Sequence, residues 1–199
     1  MRKNTKEVDY TERLQTLGGK KWKEILDVQR PYRWNLKRLN PGKTLEIGCG
    51  IGRLLEHLPK GSVGIDHNPH SVEECNKKGL TALQTSKFSK SKFAKKNTYD
   101  SILLAHVFEH LNQKDNIKLL NEYLPFLKKN GKLLIICPQE KGYTTDQTHV
   151  EFYDFSKIEK LIGKFGFVCD RKMSFPFPRS IGKIFTYNEF VVVAKKSNE

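Results

Sequence analysis

The sequence contains no apolar run that approaches the length of a membrane span, and its first residues are polar and charged. A transmembrane helix needs about 20 consecutive apolar residues, and a signal peptide needs an apolar centre, so we expect neither. Cysteine is also scarce, with four residues at scattered positions (Cys49, Cys75, Cys137 and Cys169). Because these positions show no paired spacing, the sequence predicts reduced thiols in a cytoplasmic protein, not disulfides or a zinc site.

Acidic residues are few compared with basic ones. The chain has 22 Asp and Glu against 36 Lys and Arg, a formal net charge of +14. Such an excess favours contact with anions, including nucleic acid, although a lysine-rich composition that serves solubility explains it equally well. The densest basic run, residues 87–96, interleaves five lysines with two phenylalanines. We interpret it as a solvated surface with inward-packed aromatics in preference to a nucleic-acid groove.

The composition is nevertheless that of a folded protein, with 37% hydrophobic residues in a chain of 199. This length is sufficient for one domain with a sizeable core. We therefore expect a single domain over residues 1–199. Within it, residues 1–39 would form an N-terminal helical region that covers the site, and residues 40–199 would form the core.

Three glycines follow the first predicted strand. Thr44, Leu45 and Ile47 are strand-forming residues that lead into a loop with Gly48, Gly50 and Gly52, and residues 53–58 then show helical apolar spacing. A strand, a glycine turn and a helix form the first half of a nucleotide-binding βαβ unit. Glycine permits both a tight turn and the close approach of a ligand to the backbone.

Two acids strengthen this interpretation. Glu46 lies two residues before the first glycine, and Asp66 ends a second short strand, eighteen residues (66 − 48) after Gly48. A βαβ unit places at about this distance the carboxylate that accepts hydrogen bonds from ribose hydroxyls. The sequence therefore predicts a site for a nucleoside-containing ligand.

The same order of motifs is typical of one family. The segments 46–52 and 64–66 resemble the first two motifs of the class I S-adenosylmethionine-dependent methyltransferases, and segments 99–111 and 131–138 resemble their fourth- and fifth-strand motifs. The resemblance implies an α/β, three-layer Rossmann-like fold. It would have N-terminal helices and a seven-stranded, mostly parallel sheet with an antiparallel last strand. It also implies the cofactor S-adenosyl-L-methionine, with S-adenosyl-L-homocysteine as product.

The resemblance also assigns cofactor-binding positions: Glu46, Gly48, Cys49, Gly50, Asp66, His67, Ser86, Ala105 and His106. Gly48, Gly50 and Glu46 would hold the methionine part, and Asp66 would hold the ribose. The chain departs from the family after the third predicted strand. Thr85 and Ser86 stand where many members have an acid that accepts the adenine amine.

Two histidines are candidate catalytic residues. His106 directly follows the fourth predicted strand, and His149 lies in a polar loop at residues 138–150. His106 would act as a base if the acceptor must lose a proton, or it would line the cofactor pocket. His149 would face the acceptor.

A metal site is a further possibility. If residues 106–110 are helical, then His106, Glu109 and His110 share one face. Together with His149 they resemble the metal-binding pattern of small-RNA 2′-O-methyltransferases, with His106 in place of a glutamate. The same Glu-His pair is common in metal-free members of the wider family, so we expect no metal.

The predicted function is therefore methyl transfer from S-adenosylmethionine to a small-molecule or lipid-like acceptor. One alternative is a metal-assisted RNA 2′-O-methyltransferase. The other is a non-catalytic S-adenosylmethionine-binding partner subunit. The sequence does not specify the oligomeric state.

Overall fold

A computed structural model describes residues 30–197, so most of the N-terminal helical region expected over residues 1–39 lies outside the described part of the chain. Seven strands form one mixed sheet in the order β3-β2-β1-β4-β5-β7-β6. The predicted fold class, a Rossmann-like α/β sheet that is mostly parallel, is confirmed. By its contacts the chain forms two compact units, whose described parts are residues 30–94 and 95–197.

The described part of the first unit, residues 30–94, contains three strands and three α-helices. In chain order these are α1 (Arg30–Leu39), β1 (Thr44–Ile47), β2 (Val63–Asp66), α2 (Pro69–Lys77), β3 (Ala82–Gln84) and α3 (Thr85–Phe88). β1 pairs with β2 and β2 pairs with β3, both in parallel. Every residue of β1 and β2 is buried, as expected for strands covered on both faces.

Over residues 95–197 the second unit contains four strands and three α-helices. These are β4 (Tyr99–Ala105), α4 (Gln113–Tyr123), β5 (Leu127–Pro138), α5 (Glu140–Tyr143), α6 (Phe155–Gly163), β6 (Phe167–Phe175) and β7 (Glu189–Lys196). β4 and β5 are parallel, whereas β7 runs antiparallel to both β5 and β6. The predicted antiparallel last strand is therefore confirmed. Among residues 30–197, no helix combines the length and the apolar character that a membrane crossing requires.

Local sequence signals explain the helix ends. The Asn68 side chain accepts hydrogen bonds from the backbone N–H groups of His70 and Ser71, and Asp154 accepts one from Lys157. These caps satisfy N–H groups that have no partner within the helix. At the other end of α2, Gly79 adopts a φ of +77°, a conformation that glycine allows without strain.

Two predicted helices are wrong in extent. Residues 53–58 form only a three-residue 3₁₀ turn, Leu55–His57, because Gly52 turns the chain with a φ of +82° and Pro59 leaves too little length for a helix. The sequence also predicts a helix from Asn116 to Leu127 with Asn130 and Gly131 as its stop, but the helix ends at Tyr123 and these two residues lie inside β5.

The basic run of residues 87–96 has the structural character that we expected. Phe88 is buried, whereas its five lysines (Lys87, Lys90, Lys92, Lys95 and Lys96) are exposed. Trp34 is exposed, and the Arg38 guanidinium lies 4.4 Å from its ring centroid. The four cysteines are free thiols, as the sequence predicts.

Gly64 tests the packing beneath the glycine loop. A Cβ at this position would lie 2.7 Å from Cys49 Sγ and 2.7 Å from Leu55 Cδ2. We expect Gly64→Ala to lower the free energy of unfolding by about 1–3 kcal/mol through overpacking, measured by urea denaturation. The control is Gly163→Ala, where a Cβ meets nothing within 4 Å. In the α6 helix this change should stabilise by up to about 1 kcal/mol. Equal effects of the two substitutions would contradict the account.

Candidate active site

The glycine loop is fixed by the Asp66 carboxylate. Its Oδ2 accepts the Gly50 N–H at 2.8 Å, and its Oδ1 accepts the Asn68 N–H at 2.8 Å. Gly48 and Gly50 both adopt positive φ, +72° and +52°, which a residue with a Cβ rarely does. The glycines therefore stand at the positions where Asp66, at the end of β2, holds the backbone of the loop in one conformation.

Four backbone donors of this loop already have acceptors in the protein. Gly48 N–H and Cys49 N–H both donate to Ile65 O, at 2.7 Å and 3.0 Å, and Gly52 N–H donates to Cys49 O at 2.9 Å. Gly50 N–H is taken by Asp66. A phosphate-binding loop needs N–H groups that point at the ligand. These contacts therefore favour a ligand that is not recognised through phosphate.

Glu46 is a buried acid with an unused oxygen. Its side chain lies in β1, only 3% of the residue is exposed, and Oε2 has no hydrogen-bond partner. Burial, together with the nearby Cys75 and Asp66, raises the pKa of this carboxyl well above its usual value. A buried carboxyl in this condition gains from a cationic hydrogen-bond donor.

The remaining predicted residues of the first unit differ in exposure. His67 is exposed, with Nδ1 3.6 Å from Asp66 Oδ1, and Ser86 is exposed in α3. Cys49 is buried, and its thiol packs against the backbone of Gly50, 3.7 Å from the carbonyl oxygen. Its contribution to the loop is therefore through the backbone and through packing.

In the second unit, His106 lies between two buried carboxylates. It follows Ala105, the last residue of β4, and adopts a φ of +57°. Its Nδ1 is 3.1 Å from Glu109 Oε1, and its Nε2 is 2.9 Å from Glu189 Oε1. Partial burial alone would lower the pKa of His106, but these two hydrogen bonds and the carboxylate charges raise it to about 10. The ring, 45% exposed, is therefore an imidazolium at neutral pH.

The neighbouring Glu109 is a charged, fully buried partner. Burial raises the pKa of this carboxyl, but the hydrogen bond and charge of His106 outweigh that effect, so the pKa lies below its usual value. Its Oε2 has no hydrogen-bond partner. The backbone carbonyl of Glu109 accepts the N–H of Val150 at 2.7 Å, which ties the polar loop to this point.

His110 and His149 come together on the other side of Glu109. Their ring centroids are 4.8 Å apart, and ligand atoms of Glu109, His110 and His149 all lie within 4.8 Å of one another. His149 Nδ1 is 2.7 Å from Tyr143 O, and His110 Nδ1 is 3.1 Å from Thr148 Oγ1. These three side chains could hold a metal ion.

The predicted shared helical face of residues 106, 109 and 110 is wrong. Residues Phe108–His110 form a three-residue 3₁₀ turn, and His106 precedes it with a left-handed backbone. As a result His106 meets Glu109, whereas His110 meets His149.

Sequence reasoning missed Glu189, Tyr143 and Thr148. Glu189 contacts His106 from 83 residues away, so no local spacing links them. The available signal was an acid at the start of an otherwise apolar strand, since residues 190–194 are entirely apolar. Tyr143 stacks on His149 with centroids 5.1 Å apart, inside the loop that the sequence singled out only as polar.

The His106 ion pairs make a testable contribution to stability. His106→Leu removes the cation from between Glu109 and Glu189 and leaves two buried carboxylates facing each other. Loss of one partner of a buried pair costs about 3–5 kcal/mol. Because the ring is partly exposed, we expect a decrease of roughly 1–3 kcal/mol in the free energy of unfolding, measured by urea denaturation.

The paired control adds Glu189→Gln to His106→Leu. Neutralising one acid relieves the repulsion, so part of the lost stability should return. If His106→Leu alone unfolds at the same urea concentration as the parent chain, the stabilising role of the His106 ion pairs is contradicted.

Comparison with known proteins agrees with the fold and the motifs. The sequence profile of the family described as "Methyltransferase domain" matches residues 45–135. Over 97 residues the chain is 30% identical to an uncharacterized methyltransferase from Alkaliphilus oremlandii (strain OhILAs). That alignment covers 47% of this chain and 44% of the relative, so it spans less than half the length of this curated protein.

Solved structures share the fold at low identity. The crystal structure of an S-adenosylmethionine-dependent methyltransferase from Archaeoglobus fulgidus has a TM-score of 0.63 at 18% identity, over 87% of this chain and 99% of that one. Magnesium protoporphyrin IX methyltransferase from Synechocystis PCC 6803, with bound S-adenosylhomocysteine, has a TM-score of 0.60 at 17% identity, over 86% of both chains. Residues 45–135 therefore match a methyltransferase domain, and the described chain shares its fold with solved S-adenosylmethionine-dependent methyltransferases.

Proposed function

We propose that this protein transfers a methyl group from S-adenosylmethionine to a small-molecule or lipid-like acceptor. The observation that carries the proposal is the buried, unpartnered Glu46 carboxyl in the strand that leads into a glycine loop held by Asp66. Two acids, and a loop in which the N–H groups of Gly48, Cys49, Gly50 and Gly52 already have acceptors, suit a cationic nucleoside ligand better than an anionic dinucleotide. The short turn after the loop agrees with this, because it provides no helix N-terminus for a phosphate.

The residues present fit S-adenosylmethionine in two ways. Glu46 Oε2 would accept a hydrogen bond from the α-ammonium group, which would also keep this carboxyl ionised. Each Asp66 oxygen accepts one backbone N–H and retains a lone pair for a ribose hydroxyl. Gly48 and Gly50 keep the loop free of side chains, Cys49 supports it from below, and His67 and Ser86 are exposed for the adenosine.

When bound, the cofactor supplies a sulfonium methyl group, and the protein needs chiefly to align the acceptor with it and exclude water. Ala105 and His106, at the end of β4, are the cofactor-binding positions that the family resemblance assigns in the second unit. An imidazolium has no lone pair to accept a proton, so we assign His106 a positioning role in place of the general base first considered. Its two carboxylate partners hold the ring in one orientation.

His149 would face the acceptor. It is held by Tyr143 O and packed between the rings of Tyr143 and His110. A small acceptor agrees with the structural relatives, one of which is a magnesium protoporphyrin IX methyltransferase. A non-catalytic partner subunit would use the same loop but would bind the cofactor without turnover.

A second candidate is a metal-assisted methyltransferase, favoured by the meeting of Glu109, His110 and His149. Thr148 Oγ1 donates to Asp146 Oδ1 at 2.8 Å, so it is free to accept from His110 Nδ1. Both histidines then carry their hydrogen on Nδ1 and present Nε2 as a ligand atom. Ligand histidines typically have their second nitrogen oriented in this way. Two imidazoles and one carboxylate would prefer zinc, manganese or iron to magnesium.

The ammonium contact at Glu46 is tested by isothermal titration calorimetry. Because a charged hydrogen bond contributes about 1.5–3 kcal/mol, Glu46→Gln should weaken S-adenosylmethionine binding by about 10- to 100-fold. Methylthioadenosine lacks the amino-acid part, so its affinity should be unchanged. Glu73→Gln, an exposed acid in α2, is the control. Equal losses for both ligands would contradict the assigned role, and absence of any binding to the parent chain would overturn the proposed function.

The second candidate is tested by elemental analysis and zinc titration of the purified protein. If it is correct, the protein binds one equivalent, Glu109→Gln lowers the affinity by about tenfold or more, and methyl transfer requires the metal. His70→Gln, an exposed histidine outside the group, should have no effect. Full activity after chelation, with no metal bound, would remove this candidate.

A further inference from the structure

The segment between β6 and β7 displays large apolar side chains to solvent. We name residues 176–188 the aromatic loop. It holds three of the five exposed large hydrophobic residues in the described chain: Phe177 at 47%, Ile184 at 73% and Tyr187 at 58% exposed. Phe177 packs edge-on against Phe185 at 5.3 Å, and Phe185 packs against Tyr187 at 5.7 Å. Such a cluster of exposed apolar groups marks an interaction surface.

A buried polar network holds the aromatic loop in shape. Asn188 is fully buried, and its side-chain amide donates to Gln139 Oε1 at 3.0 Å and to Ser174 Oγ at 2.9 Å. Its Oδ1 accepts the Phe177 N–H at 2.9 Å. The same amide also lies 3.2 Å from the carbonyl oxygen of Phe177. The exposed rings are therefore presented by a fixed backbone.

A second contact fixes the far side of the aromatic loop. Gly142, in α5, lies against Thr186, since a Cβ on Gly142 would be 2.5 Å from Thr186 O. Gly182 lies even closer to Gln139, because a Cβ on Gly182 would be 1.7 Å from Gln139 Oε1. The absence of a side chain at Gly142 and Gly182 therefore allows contact with the Thr186 backbone and the Gln139 side chain, which a larger residue would prevent. This packing holds the aromatic loop against α5.

The charges within the aromatic loop have one sign. Residues 176–188 contain Arg179 and Lys183 and no acid. Arg179 is paired with Glu140, whereas Lys183 is exposed on the aromatic loop and Lys141 is exposed on the adjoining α5. Glu140, the acid in α5, is already paired with Arg179, so the exposed aromatic and aliphatic groups lie beside an excess of basic charge. This combination matches the interfacial region of an anionic bilayer.

We propose that the aromatic loop is an interfacial anchor that binds the surface of anionic lipid membranes. Phe177 and Ile184 enter the headgroup region, Tyr187 lies at its boundary, and Lys183 and Lys141 pair with lipid phosphates. Stable attachment of a peripheral protein needs two weak signals together, and this surface offers both an apolar and a basic one. The inference does not depend on methyl transfer.

Co-sedimentation with large unilamellar vesicles tests the anchor. We expect the full chain to sediment with phosphatidylcholine vesicles that contain phosphatidylserine, and much less with phosphatidylcholine alone. The double variant Phe177→Ser/Ile184→Ser and the single variant Lys183→Glu should each lower the partition coefficient by about tenfold. Thermal unfolding followed by circular dichroism checks that the variants remain folded.

Matched controls test whether vesicle binding depends on this surface or only on exposed apolar area and net charge anywhere on the protein. Val168→Ser changes an exposed apolar residue outside the loop, and Lys129→Glu reverses a charge elsewhere in the same unit. Both should bind vesicles like the parent chain. Equal loss of binding in a control, or binding that ignores phosphatidylserine, overturns the proposal. The proposal is also overturned if light scattering shows that the parent chain self-associates and that the double variant is monomeric.

Discussion

The structure of the first unit depends on the Asp66 carboxylate, whose two oxygens accept the N–H groups of Gly50 and Asn68. One contact sets the shape of the glycine loop, and the other positions Asn68, which in turn caps α2. A single acid at the end of β2 therefore couples the loop, the strand and the following helix. This also explains why the loop has three glycines with positive φ, since the carboxylate holds the chain in a conformation that other residues resist.

Glu46 and His106 are ionisable side chains in opposite environments, since one lacks a partner and the other has two. Glu46 is left with an unpartnered oxygen and a raised pKa, a condition that a cationic ligand would relieve. His106 is already satisfied between Glu109 and Glu189 and is held as a cation. The environment of Glu46 suits the binding of a cation, whereas that of His106 suits a side chain held in one orientation. An unpartnered buried carboxyl favours a sulfonium nucleoside over an anionic dinucleotide more strongly than the glycine pattern does.

Much of the fold could be predicted from sequence, because parallel strands buried on both faces appear as short apolar runs with glycine or acid at their ends. The helix expected after Gly52 could not be excluded by apolar spacing alone. Six residues between a glycine turn and Pro59 satisfy the pattern but are too short to form one. The partners of His106 and His149 could not be predicted from the sequence either. Glu189 lies 83 residues from His106, and the contact of Tyr143 with His149 is through a backbone carbonyl.

The central claim is that residues 46–52 and 64–68 bind the cofactor. Hydrogen–deuterium exchange with and without S-adenosylhomocysteine tests it most directly, because binding should slow exchange of the backbone amides that shape this loop. The account predicts protection in peptides that cover these two segments and little change in β6 and α6. No protection there, or protection confined to other parts of the chain, would contradict it.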